Sequence, residues 1–296
     1  MNTETEIRTA QTRRVVRRKT PLALRVMRIY FSTVGQLFPG MAARKAYKIW
    51  FRTRRYKVPL RETRWLKDAN QDVIDHPYGP LAVNRWGEHG PTVLLVHGWN
   101  GRGSQMGAFA APLVEAGYRV VAYDLPAHGR SPGNNTNVFK AIETLMAVAE
   151  AYGPIHGIVG HSFGGMVTTL ALKEGLPANR VICIGTPGSL LGLLERFTNV
   201  LAIPEATLSR LNQMIVRKFS NDIWDRVSLI SATRDLSTPA LIIHDEFDLD
   251  VDWKEAEAIA NSWQGAQFMK TSGLGHRRIL RDPEVIAAAV SFLNEK

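Results

Sequence analysis

From residue 61 onward the chain alternates between short apolar runs and longer stretches of helical period. β-Branched, apolar segments occur at 91–97 (PTVLLVH), 119–124 (RVVAYD), 155–162, 180–187, 240–248 and 266–273. Between most of them lie stretches with apolar residues at three- and four-residue spacing, at 104–116, 138–152, 163–174, 252–263 and 282–294. Strand-length apolar runs alternating with amphipathic helices predict an α/β fold, a mostly parallel central sheet with helices on both faces. Segments 63–67 and 80–86 are expected to add antiparallel edge strands. The rhythm breaks once, between 188 and 235, where LLGLLERFTNVL, ATLSRLNQMIVRKFS and DIWDRVSLI all have helical period. Such an insertion between two sheet strands predicts a helical cap over the strands' carboxyl ends, where α/β sheets bind ligands.

Upstream the pattern is helical and basic. Met27, Tyr30, Phe31, Val34, Leu37 and Phe38 form one stripe; after the Phe-Pro-Gly break, Ala43, Ala46, Tyr47 and Trp50 form a second, with Arg44, Lys48, Arg52 and Arg55 on the opposite side. Two readings follow: the helices dock on the main domain with a solvated charged face, or they attach to an anionic membrane surface through residues 21–57. The expected organisation is a disordered basic tail at 1–20, a helical extension at 21–60, an α/β core at 61–187 and 236–296, and the cap at 188–235.

Charge sharpens this division. The net charge is +10, yet the first 67 residues hold 18 Lys and Arg against three acidic residues, and the remainder holds 19 against 24. The basicity therefore belongs to the extension, and no nucleic-acid-binding module accompanies it. A single cysteine, Cys183, excludes an intrachain disulfide and suits a reducing compartment. No apolar run approaches the roughly 20 residues that span a bilayer, and the N-terminus lacks the order of a secretory signal. The expectation is a cytoplasmic protein, with peripheral contact at the inner membrane surface as the membrane reading's corollary.

The candidate chemistry begins at residues 159–166, VGHSFGGM. The plainer reading of its glycines is a tight turn. Gly160-His161-Ser162-Phe163-Gly164, however, leaves a strand pattern and enters a helix pattern, the context in which G-x-S-x-G forms a nucleophile elbow. A serine hydroxyl is weakly nucleophilic near neutral pH, so it needs an imidazole to take its proton and a carboxylate to orient that imidazole. Both follow in order: a carboxylate cluster ends the run ALIIHDEFDLDV, and GLGHRRIL carries His276 just beyond the next strand. Ser162 and His276 are the candidate nucleophile and base, and the acid lies among Asp245, Glu246, Asp248, Asp250 and Asp252. Metal-ligand spacings and a phosphate-binding GxxxxGK[ST] are both missing, so neither metal nor cofactor is expected.

HGWNG (97–101), DLPAHGRSPG (124–133), GHSFGG (160–165), HDEFDLDV (244–251) and GLGH (273–276) together resemble the α/β-hydrolase fold family. That family's His-Gly-x-x-Asp-x-x-Val places the acid at Asp248, with His244 and Val251 matching; Asp245 replaces the usual glycine and remains a competitor. The resemblance also implies an oxyanion hole from the N–H groups of Trp99 and Phe163, assisted by the Asn100 side chain, and makes Asp124, His128 and Ser131 loop-shaping residues. Relatives with an aspartate at the elbow, epoxide hydrolases and haloalkane dehalogenases, are disfavoured by Ser162. The implied activity is cleavage of a small carboxylic ester or thioester through an acyl-enzyme. An aminopeptidase- or amidase-like hydrolase, or a non-catalytic membrane- or partner-binding member of the fold, stands as the alternative.

Overall fold

The computed structural model describes residues 20–295. The basic tail assigned to 1–20 lies, except for Thr20, outside the described residues. Eight strands make one sheet: β1 (Asn70–Ile74), β2 (Leu81–Trp86), β3 (Thr92–Val96), β4 (Arg119–Tyr123), β5 (Ile155–His161), β6 (Arg180–Ile184), β7 (Ala240–Asp245) and β8 (Gln267–Thr271). Their spatial order is β1-β2-β4-β3-β5-β6-β7-β8. The β1/β2 and β2/β4 pairs are antiparallel and all the others parallel.

The central strands are apolar at nearly every position because both faces of the sheet are covered. Successive side chains point to opposite faces, so Leu94 and Val96 of β3 join one buried cluster while Val93 and Leu95 join the other. On β6, Val181 and Cys183 separate from Ile182 and Ile184 in the same way. Each such side chain contributes roughly 1.5–3 kcal/mol when fully buried, so these strands form the rigid base of everything above them. Burial pushes the Cys183 thiol up to about 11, which makes it a core residue and not a nucleophile.

One edge differs from expectation. Residues 63–67 were expected to be a strand, but Leu60–Trp65 is a helix that starts after Pro59. Its Glu62 is buried and accepts two hydrogen bonds from Arg102 (2.6 and 2.9 Å) and one from Ser104 (2.8 Å). That anchor, made with residues 40 positions away, overrides the short apolar alternation. The outer strand is instead β1, whose polar sequence NQDVI pairs with β2 at the exposed rim. The stretch 104–116 is a 3₁₀ turn at Gly103–Phe109 followed by a short α-helix at Ala110–Glu115.

Residues 188–235 hold four helices: Leu190–Leu201, Glu205–Lys218, Ile223–Arg226 and Leu229–Thr233. The N-terminal helices Leu22–Leu37 and Pro39–Trp50 break at Pro39, the first residue of the second helix. They pack mainly on the first two of these four helices. Gly35 lies so close to the cap that a Cβ there would come within 2.9 Å of Pro204, and the Gly35 carbonyl accepts a hydrogen bond from Thr207 Oγ1 at 2.8 Å. The Trp50 and Phe197 rings meet edge to face with centroids 5.2 Å apart. Of the predicted stripe, Met27, Tyr30, Phe31 and Val34 turn inward, whereas Leu37 and Phe38 are exposed.

Strand order reverses at β3, which lies between β4 and β5. The chain leaves β3 toward one edge and later returns to build toward the other, so the loops at the carboxyl ends of β3 and β5 diverge and leave a crevice. Those loops carry His97–Gly101 and Ser162.

Candidate active site

Ser162 stands between β5 and the helix Phe163–Lys173 with φ 53° and ψ −118°, outside the regions that L-residues normally occupy. The turn closes because its flanks lack side chains: a Cβ on Gly160 would lie 2.6 Å from Gly165 Cα, and one on Gly164 would collide with the Val96 carbonyl. Ser162 N–H donates to Ile184 O at 2.8 Å, and Ser162 O accepts from Gly165 and Met166 at the start of the helix. A strained backbone pinned from both sides pushes the hydroxyl out over the sheet and above a helix N-terminus.

Ser162, His276 and Asp248 come together. His276 lies in the short helix Gly275–Arg278 after β8, and its Nε2 lies 3.0 Å from Ser162 Oγ. Its Nδ1 lies 2.6 Å from Asp248 Oδ2. The Asp248 side chain is only 1% exposed. Its Oδ1 accepts from the N–H groups of Asp250 (2.8 Å) and Val251 (3.0 Å). His244 Nε2 approaches Oδ2 at 3.3 Å. Burial alone would raise this carboxyl; the hydrogen bonds from His244, His276 and Val251 outweigh it and hold the group well below the ordinary carboxylate range. The imidazole therefore faces a permanent anion on one side and the hydroxyl on the other.

Asp245, the competing acid, does not reach His276. It is fully buried and accepts from Phe247 N (3.0 Å), Thr271 Oγ1 (2.9 Å), Leu274 N (2.9 Å) and Gly275 N (2.8 Å). Four donors to one carboxylate clamp the loop after β7 to the loop that carries His276. Sequence reasoning missed this role, although an aspartate in a position where relatives carry glycine was its visible signal.

The residues expected to supply the oxyanion donors share a cavity wall with Ser162. Trp99 lines both cavities that meet at Ser162 and Phe163 lines the first, and neither N–H has a backbone partner among the described residues. The loop bearing Trp99 is braced by two histidines. His97 Nε2 accepts from Leu125 N, and His128 Nε2 accepts from Asn100 N, both at 3.0 Å. Burial lowers the pKa of His97 to about 4 and that of His128 to about 3, so both rings stay neutral and keep their accepting nitrogens. Asn100 lines both cavities that contain Ser162. Its Oδ1 accepts from Arg54 N at 2.7 Å and ties the N-terminal extension to this loop. Asp124 accepts from Gly103 N and Arg130 N, and Ser131 Oγ donates to Asp124 O, so this segment shapes the loop beneath the crevice.

His161, next to the serine, has a positioning role too: its Nε2 donates to the His276 carbonyl at 2.8 Å, and burial lowers its pKa to about 3. Asp248, Asp250 and His276 bring ligand-capable atoms within 4.8 Å of one another. A cation there would compete for the atoms with which Asp248 and His276 meet.

An apolar cavity of about 350 Å³ opens beside Ser162. Leu193, Phe197, Ile215 and Phe219 of the 188–235 insertion line it together with Trp50 and Phe51 of the N-terminal extension. The extension is thus part of the pocket wall, which nothing in its own periodicity disclosed.

The alpha/beta hydrolase family model matches residues 93–289. The chain belongs to the alpha/beta hydrolase family. A serine hydrolase-like protein of Danio rerio is 36% identical over 141 residues, which cover 45% of this chain and 43% of that protein. A pimeloyl-[acyl-carrier protein] methyl ester esterase of Methylococcus capsulatus is 38% identical over 102 residues, covering 33% of this chain and 38% of that protein. The matches thus span about two fifths of the length of these curated relatives. Among solved structures, a hydrolase from Pseudomonas aeruginosa superposes with a TM-score of 0.58 at 20% identity, covering 76% of this chain and 99% of that one. That likeness concerns the α/β-hydrolase fold.

Proposed function

We propose that this α/β hydrolase is a serine hydrolase that cleaves a carboxylic ester or thioester through an acyl-enzyme. The observation that carries the reading is the unbroken chain Asp248 to His276 to Ser162, with contacts of 2.6 and 3.0 Å, ending on a strained elbow at the mouth of an apolar pocket. Ser162 Oγ attacks the carbonyl carbon as His276 Nε2 takes its proton. The N–H groups of Trp99 and Phe163 hold the oxyanion, each worth about 3–4 kcal/mol of barrier. The tetrahedral adduct collapses, the C–O or C–S bond breaks, and His276 returns the proton to the departing alcohol or thiol. Water then enters, His276 takes one of its protons, and collapse of the second adduct frees the acid and restores the Ser162 hydroxyl. Asp248 stays ionised and stabilises the imidazolium formed in each half.

The apolar pocket suits an acyl chain, and one relative bears the name of a methyl ester esterase, in keeping with ester chemistry. A fluorophosphonate probe and a panel of p-nitrophenyl esters, thioesters and amino-acid amides test the reading. The folded wild type is expected to take the label and to turn over esters or thioesters faster than amides, and Ser162→Ala is expected to do neither. Folded wild type that takes no label points to a non-catalytic member of the family.

A second reading concerns attachment. No helix among the described residues is long and apolar enough to cross a membrane. The outer face of helix Leu22–Leu37, however, leaves Leu22, Val26 and Ile29 exposed at 74%, 55% and 63%, one turn apart. Exposed Phe38 and Met41 extend the patch, and Arg25 and Arg28 stand beside it. Such a face supports peripheral contact with an anionic bilayer. Sedimentation with phosphatidylglycerol vesicles is expected to be salt-sensitive and lost in the triple substitution Leu22→Ser, Val26→Ser, Ile29→Ser; equal binding by that variant would refute the assignment.

A further inference from the structure

We propose that the leaving half of the substrate carries phosphate, which a basic recess receives on the side of Ser162 away from the acyl pocket. The inference rests on the serine-hydrolase reading and adds the chemistry of the group that departs. A second cavity, of about 450 Å³, also contains Ser162 and His276 in its wall. It shares Tyr56, Trp99, Asn100 and Leu193 with the apolar cavity, so the two open onto one hydroxyl from different sides. A carbonyl at Ser162 with its acyl chain in the apolar cavity must direct its other substituent toward the second one.

The lining of that second cavity is cationic. Lys57 and Arg61 reach it from the N-terminal segment, and Arg277 and Arg281 from the turn beyond His276. None of these four forms an ion pair among the described residues. The Glu62 carboxylate is taken up by Arg102 and Ser104, which leaves Asp250 as the free acid of the lining. Burial, and then the neighbouring charges of Arg61 and Arg278, lower the pKa of Arg281 against an opposing pull from Glu62. Two segments more than 200 residues apart therefore converge to place an excess of cationic side chains in the same cavity wall as the reacting serine. Guanidinium forks pair bidentately with phosphate oxygens, and Lys57, Arg61 and Arg277 are exposed and free to turn toward one, with Arg281 half-buried behind them. A neutral alcohol would use none of these contacts.

Two matched pairs of substrates test the proposal and separate the sources of the phosphate: decanoyl-coenzyme A against the neutral N-acetylcysteamine thioester of decanoate, and 1-decanoylglycerol 3-phosphate against 1-decanoylglycerol. In at least one pair the phosphorylated member is expected to have a kcat/KM about tenfold or more above its neutral partner at low salt, with the advantage shrinking toward roughly 0.5 M NaCl. Arg61→Glu with Arg281→Glu is expected to bring the ratio near one, and Lys173→Ala, a charge removed far from the recess, to leave it unchanged. Arg61→Ala alone, with its thermal midpoint compared to wild type, serves if the double variant fails to fold. Equal hydrolysis within both pairs, or a preference that survives in the folded variants, overturns the proposal and leaves the hydrolase reading standing. Wild type that hydrolyses none of the four yet takes a fluorophosphonate label also overturns it; failure of both turnover and labelling overturns the hydrolase reading together with it.

Discussion

Replacing Asp248 with Asn changes one atom, and the surrounding donors dictate where that atom goes. Oδ1 accepts from the N–H groups of Asp250 and Val251 at 2.8 and 3.0 Å, so the amide oxygen must stay there and the NH₂ must occupy the place of Oδ2. That NH₂ then faces His276 Nδ1 across the present 2.6 Å contact. Two donors cannot share the contact, so Nδ1 has to become the acceptor and the ring proton moves to Nε2, the nitrogen 3.0 Å from Ser162 Oγ. The base is left protonated on the side where it should receive a proton, and the anion that would stabilise the imidazolium is gone. Wrong-tautomer losses of this kind cost about 10⁴-fold in kcat, or roughly 5.5 kcal/mol of barrier. The assay is kcat for a p-nitrophenyl ester together with the rate of fluorophosphonate labelling, read beside the thermal midpoint. A folded Asp248→Asn variant that keeps more than about a tenth of wild-type kcat would refute the tautomer argument and, with it, the assignment of the acid.

Asp245→Asn should behave in the opposite way. The amide keeps one pair of its four acceptor contacts and sets an NH₂ against Leu274 N–H and Thr271 Oγ1, or against the other pair if flipped. At about 1.5–3 kcal/mol per charged hydrogen bond the loss is on the order of 3 kcal/mol or more. Calorimetry should show a fall of about 5 °C in the thermal midpoint, with a kcat loss much smaller than that of Asp248→Asn; an unchanged midpoint would exclude the clamp. His97, His128 and His161 have pKa values lowered by burial from 6.5 to about 4, 3 and 3, so below pH 6.5 the unfolded chain binds more protons than the folded one. Their stabilisation is complete above pH 6.5 and drains as pH falls toward 4, at about 1.4 kcal/mol per pH unit for each ring. Against a total of about 5–15 kcal/mol, the midpoint should drop steeply between pH 6.5 and 4; a flat profile over that range would contradict neutral buried rings. Along a series of straight-chain esters, kcat/KM should rise roughly fourfold per methylene until the pocket fills, at about 0.8 kcal/mol per buried CH₂. Trp50→Ala should move the maximum to longer chains, and an unmoved maximum would detach the N-terminal extension from the acyl pocket.

What the chain disclosed by itself was whatever depends on residues close together in sequence or on strand ends. The apolar runs that became β3 to β7 mark a sheet covered on both faces, because only doubly buried strands dispense with polar positions. Ser162 was legible because a strand-to-helix elbow needs small neighbours, and His276 because it follows a strand end in the required order. Asp248 needed the family resemblance, since five carboxylates crowd the same loop and periodicity cannot tell which one turns inward. The tertiary structure alone decided the rest. It gave Asp245 to the loop clamp, used Asn100 Oδ1 to hold Arg54, and turned Leu60–Trp65 into a helix through the buried Glu62–Arg102 contact. It also brought Trp50 to the cap and Arg61 toward Arg281. Local pattern reports the face a segment buries; which distant segment covers that face is set by the packing of whole elements against one another, and here that packing builds both walls of the pocket beside the serine.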